Sequence, residues 1–152
     1  MFHQGKFRPK HPQKYAGDPT NIIFRSSWEL RFMVWADEKS SVVKWRSEET
    51  IIPYRSPIDN KIHRYFVDFQ VQVRDKHGNL QTYLIEIKPE KQTKPPEPQK
   101  KVTKKYLEEV VTWGTNESKW KAATEYAKDR GWNFLILTEK HLGITPDWYK
   151  NK

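Results

Sequence analysis

The chain contains no cysteine. That excludes disulfides and the usual thiolate zinc modules, and it fits a reducing compartment. No window approaches the apolar length of a membrane span, so no membrane partner is expected. The N-terminus is basic but has no apolar segment behind it, which argues against a secretory signal. No internal repeat is visible. The histidines (His3, His11, His63, His77 and His141) are scattered without a metal-binding spacing and are assigned no role.

What the chain does have is positive charge and aromatic mass. Its 152 residues suit one domain with a proper core. Most of the seven tryptophans belong in that core. A net charge of +9 points to an acidic partner, of which nucleic acid is the commonest, although charge alone names no partner.

The chemistry concentrates between His63 and Glu90. Tyr65, Val67, Phe69 and Val71 alternate with Arg64, Asp68, Gln70 and Gln72, and Tyr83, Ile85 and Ile87 alternate with Thr82, Leu84, Glu86 and Lys88. This period of two predicts two strands, each with one buried face. Lys76-His77-Gly78 suits a three-residue hairpin loop with Gly78 in the left-handed position. Such a loop sets Asp68 opposite Glu86 and Phe66 opposite Lys88, with the three charged residues sharing the non-core face. Opposed residues hold their Cβ atoms about 5 Å apart, where like charges destabilise a sheet. Two facing carboxylates therefore want a cation, and Mg²⁺ takes oxygen ligands at about 2.1 Å while keeping several waters. Lys88 is placed to orient a nucleophilic water or to offset developing negative charge. The common alternative is a solvated strand face on which Asp68 and Glu86 merely pair with Arg64 and Lys88.

Around this hairpin, residues 1–21 read as a basic extended arm with little core contribution, residues 22–145 as a single domain, and residues 146–152 as a tail. Lys6, Arg8, Lys10 and Lys14 suit phosphates along the arm, unless it is simply a disordered tail. A first helix begins near Ser26, where Ser26 and Glu29 match a capping box. Glu29 also falls inside the apolar arc of Trp28, Phe32, Met33 and Ala36, where a carboxylate needs a partner. Val42–Trp45 and Thr50–Tyr54 predict short strands. Pro95, Pro96 and Pro98 interleave with Lys91, Lys94, Lys100, Lys101, Lys104 and Lys105, which predicts either a basic loop on the substrate backbone or a solvated linker. A helix over Lys101–Thr112 is interrupted at Gly114, a second starts at Thr115 or Asn116, and Gly131 ends it. Trp132–Thr138 predicts a central strand, followed by a short helical turn.

The ordered set of Glu29, Val67-Asp68 and Glu86-Ile87-Lys88 resembles the restriction-endonuclease-like superfamily, whose pattern is PD-(D/E)XK on an αβββαβ core. Here Val67 replaces the proline. FRSSWEL and KWKAATEYAKDRGWNFLILTEKHL are similar to the catalytic domain of the endonuclease subunit of heteromeric transposases, in which the helix glutamate is a site residue. Over almost the whole chain, HQGKF and IIPYRSP included, the sequence resembles the head completion nucleases of T4-like tailed bacteriophages. The resemblance implies an α/β mixed-sheet nuclease requiring Mg²⁺ or Mn²⁺ and cutting double-stranded DNA, with packaged phage DNA ends as substrate. It implies Asp68, Glu86 and the carbonyl of Ile87 as metal ligands, Glu29 as a further one, and Lys88 on the attacking water. The virion or host cytoplasm is the implied setting, with a capsid portal or other head completion proteins as partners. A virion protein that binds DNA ends without turnover is the alternative. A transposition endonuclease fits less well, since little chain follows the last strand.

Overall fold

Phe7, Tyr15, Ile22 and Phe24 are large apolar residues in a basic N-terminal segment, and they decide its conformation. In the computed structural model, which describes residues 4–142, β1 (Gly5–Phe7) pairs antiparallel with β2 (Ile22–Phe24). Tyr15, Ile22 and Phe24 are buried in the core, with Phe7 packed against it. Of residues 1–21, read as an extended arm with little core contribution, Tyr15 and Phe7 thus reach the core, while Ile22 and Phe24 belong to the domain expected from residue 22 onward. Burying these large apolar side chains outweighs the solvation of the lysines between them.

Helix α1 (Ser27–Glu38) starts where predicted, with the Ser26 Oγ accepting from the Glu29 N–H at 3.1 Å. Phe32, Met33 and Ala36 are its buried stripe. Asp37 is buried too, and its carboxylate accepts the backbone N–H groups of Lys10 (2.7 Å) and His11 (2.9 Å).

Then come β3 (Val42–Ser47), β4 (Ile51–Arg55), β5 (Ile62–Phe66), β6 (Phe69–Arg74) and β7 (Leu80–Ile87). Helix α2 (Lys104–Asp129), β8 (Asn133–Leu137) and the short α3 (Glu139–Leu142) follow. One mixed sheet has the order β3-β6-β7-β8, antiparallel except for β7 with β8. With α1 before it and α2 before its last strand, this is the αβββαβ core of a restriction-endonuclease-like fold. β4 and β5 form a separate hairpin inserted between the first two core strands.

The β6–β7 register, Phe69↔Ile85 and Val71↔Tyr83, centres on His77 as predicted. Gly78 has φ +82°, a left-handed value that glycine adopts without strain. The long first strand, however, is broken at Val67–Asp68. Tyr65 and Val67 pack with Leu84, Trp120, Ala123 and Ala127, whereas Phe69 and Val71 pack with Ile85, Ile87, Phe32 and Met33. Successive residues of β7 thus enter two cores on opposite faces of the sheet. The break is pinned by the Val67 N–H to the Thr50 carbonyl (3.1 Å) and by the Glu48 N–H to the Asp68 carbonyl (3.0 Å). Phe66 consequently pairs with Ile51 instead of lying opposite Lys88.

Two further expectations are corrected. Gly114 does not interrupt α2, which runs unbroken from its N-cap Thr103 to a left-handed Gly131 at φ +72°. A lone glycine costs a helix only about 1 kcal/mol, and burial of Trp120, Ala123 and Ala127 outweighs it. Strand β8 lies at the sheet edge, not its centre, although α2 covers its inner residues. The predicted tail at 146–152 lies outside the described residues.

A Cβ at Gly114 would find its nearest atom, the Pro57 Cγ, at 3.9 Å, an ordinary contact. Gly114→Ala is therefore expected to stabilise the protein by about 0.5–1 kcal/mol, raising the thermal midpoint by roughly 1–4 °C. A lowered midpoint in calorimetry would contradict a continuous helix.

Candidate active site

Because both faces of β7 are covered at its C-terminal end, Glu86 is only 5% exposed, between Ile85 and Ile87. The charged face predicted for this strand is thus not open to water. The Tyr65 hydroxyl donates to the Glu86 Oε1 at 2.6 Å, and the Lys88 Nζ stands 3.8 Å from Oε2. Asp68 lies one position beyond the last β6–β7 pair, across from Glu86. Its Oδ2 accepts the Ile87 N–H at 2.8 Å, which fixes the carboxylate at the end of β7. Arg64, the other suggested partner for the acids, instead places its guanidinium 5.5 Å from the Phe66 ring centre.

Glu29 joins from the first turn of α1. Its Oε1 accepts the Arg25 N–H at 3.1 Å, so it caps the helix. Its charge acts on Asp68, and that of Lys88 acts on Glu29. Arg25 forms an ion pair with Glu48, whose backbone N–H holds the Asp68 carbonyl. Glu48 has φ +53°, a value uncommon outside glycine. One strained residue thereby links the start of α1 to the break that carries Asp68.

Burial pushes the Glu86 carboxyl above its ordinary range, against the Tyr65 hydrogen bond and the charges of Lys88 and Lys119. Asp68 is pushed well above its range, first by burial and then by the charge on Glu86, with the Ile87 N–H opposing. Glu29 is raised by burial as well. Desolvated carboxylates side by side are hard oxygen donors, and a divalent cation between them would offset both lost hydration and repulsion. Among the described residues, no three His, Cys, Asp or Glu side chains are gathered into a complete metal site. A hard ion that keeps most of its waters needs only one or two carboxylates, and the Asp68–Glu86 pair fits that demand.

The basic residues divide. Lys10 pairs with Glu38 at 2.9 Å, and the Lys14 Nζ donates to the carbonyls of Asp37 and Lys39. Lys14 thus serves the fold, while the Lys10 side chain stays largely exposed. Lys6 and Arg8 are exposed, as are Lys91, Lys94, Lys100, Lys101, Lys104 and Lys105. The root of that lysine-rich loop is held near α3, where the Glu90 N–H donates to Glu139 and Lys140 pairs with Glu90.

Tyr65 and Lys119 were not among the candidate residues. Lys119 sits on α2 with its Nζ 5.6 Å from the Tyr65 ring centre and 5.8 Å from that of Tyr54. Helical spacing offered a sign of it, since Asn116, Lys119 and Ala123 line one face at intervals of three and four. Nothing local marked Tyr65, because its partner depends on the break at Val67–Asp68.

Residues 39–139 match the family model described as TnsA-like endonuclease N terminal. The chain is also similar to the head completion nuclease of Enterobacteria phage T4, at 42% identity over 146 residues, covering 93% of this chain and 95% of that protein. The family match includes Asp68, Glu86 and Lys88 and begins after Glu29.

An acid whose folded pKa is raised costs stability as pH climbs from the ordinary carboxylate range, near about 4, towards the raised value. Asp68→Asn removes that cost and retains an acceptor for the Ile87 N–H. With a chelator at neutral pH, its thermal midpoint is expected to exceed that of the unaltered protein by a few degrees, roughly 2–4 °C per kcal/mol. The difference should shrink towards acid pH. An equal or lower midpoint at neutral pH would mean that Asp68 is not held at an electrostatic cost.

Proposed function

The chain belongs to the TnsA-like endonuclease family, and from that premise we propose that it is a Mg²⁺-dependent deoxyribonuclease of phage head completion. It hydrolyses phosphodiester bonds, trimming the ends of packaged double-stranded DNA, in the virion or the host cytoplasm. A capsid portal or other head completion proteins are the partners that this setting suggests. The observation that carries the reading is the half-buried Asp68 across from the buried Glu86, with the Lys88 ammonium 3.8 Å from Glu86.

In this mechanism Asp68, Glu86 and the Ile87 carbonyl would hold the ion, and Glu29, which the structure does not gather into a three-acid group with them, would have to close in to serve as a further ligand. When bound, a hard divalent ion supplies compensation for phosphoryl charge and acidifies a coordinated water. Lys88 orients the attacking water and offsets negative charge on the phosphoryl oxygens. Tyr65 holds one Glu86 oxygen through its hydroxyl, leaving Oε2 on the side of Lys88. The exposed lysines after Lys88 hold the DNA backbone, which keeps the phosphate in line for attack.

The purified protein is expected to nick or trim duplex DNA with Mg²⁺ or Mn²⁺ and to stop when chelator is added. Asp68→Ala and Lys88→Ala should each abolish cleavage in a gel assay while leaving DNA affinity nearly unchanged. Cleavage that persists in both variants would move the chemistry elsewhere.

Affinity should also fall steeply with salt, because each phosphate contact releases counterions. Replacing Lys100 and Lys101 by alanine is expected to reduce the log–log salt slope by about 2. An unchanged slope would remove the loop from the interface.

A further inference from the structure

The β4–β5 hairpin lies outside the αβββαβ core, and its two faces differ. The inner face supplies Ile52, Tyr54 and Tyr65 to the core beneath α2. On the outer face Ile51 pairs with Phe66, Pro53 with Arg64, and Arg55 with Ile62. Ile51, Phe66 and Ile62 are 41%, 42% and 60% exposed, so this strip of apolar surface is left to solvent. Isolated exposed apolar residues need no explanation, but neighbours in one cross-strand ladder form a patch. Two guanidinium groups are interleaved with them, and no acid belongs to the set. The guanidinium of Arg64 lies over the Phe66 ring, presenting cation and aromatic face together.

The strip begins beside the candidate site. Phe66 precedes Asp68 by two residues, roughly 7 Å of extended chain, and Ile62 lies about 13 Å farther along β5. A strand of DNA leaving the acids along this hairpin would therefore meet a ring and aliphatic side chains as well as cations. Phosphates explain the arginines but not the apolar residues. Base faces explain both, since unpaired bases stack on aromatic surfaces while their backbone attracts guanidinium. In an intact duplex those faces are hidden in the stack, so only a frayed or single-stranded end offers them.

We infer that the outer face of the β4–β5 hairpin holds the unpaired nucleotides of a DNA end, with Phe66 as the stacking platform and Arg64 and Arg55 on the phosphates. This deepens the nuclease reading, on which it rests for the path of the strand past Asp68. The protein would then favour ends carrying unpaired nucleotides over flush ones.

The test measures binding apart from chemistry. The full chain is titrated, in chelator, against a fluorescently labelled blunt duplex and against the same duplex carrying a short unpaired tail. The unaltered protein is expected to bind the tailed DNA more tightly. Phe66→Ala should weaken tailed binding about tenfold and leave blunt binding alone, whereas Phe66→Trp should keep the preference. Phe66 is partly exposed, and an unchanged thermal midpoint would show that the alanine variant is folded. Should that variant not fold, Arg64→Ala and Ile62→Ser provide the same comparison. Equal affinity of the unaltered protein for both DNAs overturns the inference. So does a tail preference that survives in folded Phe66→Ala, an outcome that would leave this face to a protein partner. Tail preference without cleavage in Mg²⁺ would instead overturn the nuclease reading and leave this inference standing.

Discussion

Glu86 sits on a strand covered from both sides, with the α1 core under one face and the α2 core over the other. A carboxylate there has lost most of its water, and its charge in turn bears on the nearby Asp68, whose carboxyl it raises further. Only specific partners make the arrangement tolerable. Tyr65 donates to Glu86, the Ile87 amide donates to Asp68, and Lys88 and Lys119 supply positive charge. Each of these contacts exists because β7 is an interior strand, so the fold that buries the acids also provides what holds them.

The break at Val67–Asp68 is the second half of that arrangement. A continuous strand would keep Tyr65 and Phe69 on one face, and Tyr65 could not then reach Glu86 from the α2 side. By crossing from one core to the other within two residues, the chain brings Tyr65 to Glu86 and Asp68 to the Ile87 amide. The crossing requires backbone contacts from Thr50 and Glu48, and Glu48 adopts a left-handed conformation to make its own. Local strain of this kind costs about 1–3 kcal/mol and persists only where the surroundings over-determine it.

What could be read from the sequence was local. The Ser26 cap, the hairpin centred on His77 and the stop at Gly131 depend on residues a few positions apart, and each forms as expected. Glu29 could be marked because its helical position conflicted with its charge, and in the structure it accepts the Arg25 amide at the start of α1 while its charge acts on Asp68. The break at Val67–Asp68 could not be read, because a pattern of alternating residues looks the same whether its apolar members enter one core or two. Gly114 misled for a related reason: propensity argued for an end, and packing of the residues after it decided otherwise. The acceptors of Lys10 and Lys14, Glu38 and the end of α1, could not be read either, because they lie more than twenty residues away.

Those two lysines also change what the N-terminal segment does. Lys14 donates to carbonyls at the C-terminal end of α1, where a cation complements the helix dipole. The backbone amides of Lys10 and His11 meanwhile hold the buried Asp37 carboxylate in the same last turn. At its other end α1 is fixed by Ser26 and by the bond from the Arg25 amide to Glu29. A helix tied at both ends has little freedom to slide, and Glu29 is in its first turn. The basic segment that composition assigns to DNA thus acts on the candidate site from within, by setting where Glu29 stands relative to Asp68. Lys6, Arg8 and Lys10 at this end stay exposed, as does the lysine-rich loop at the other.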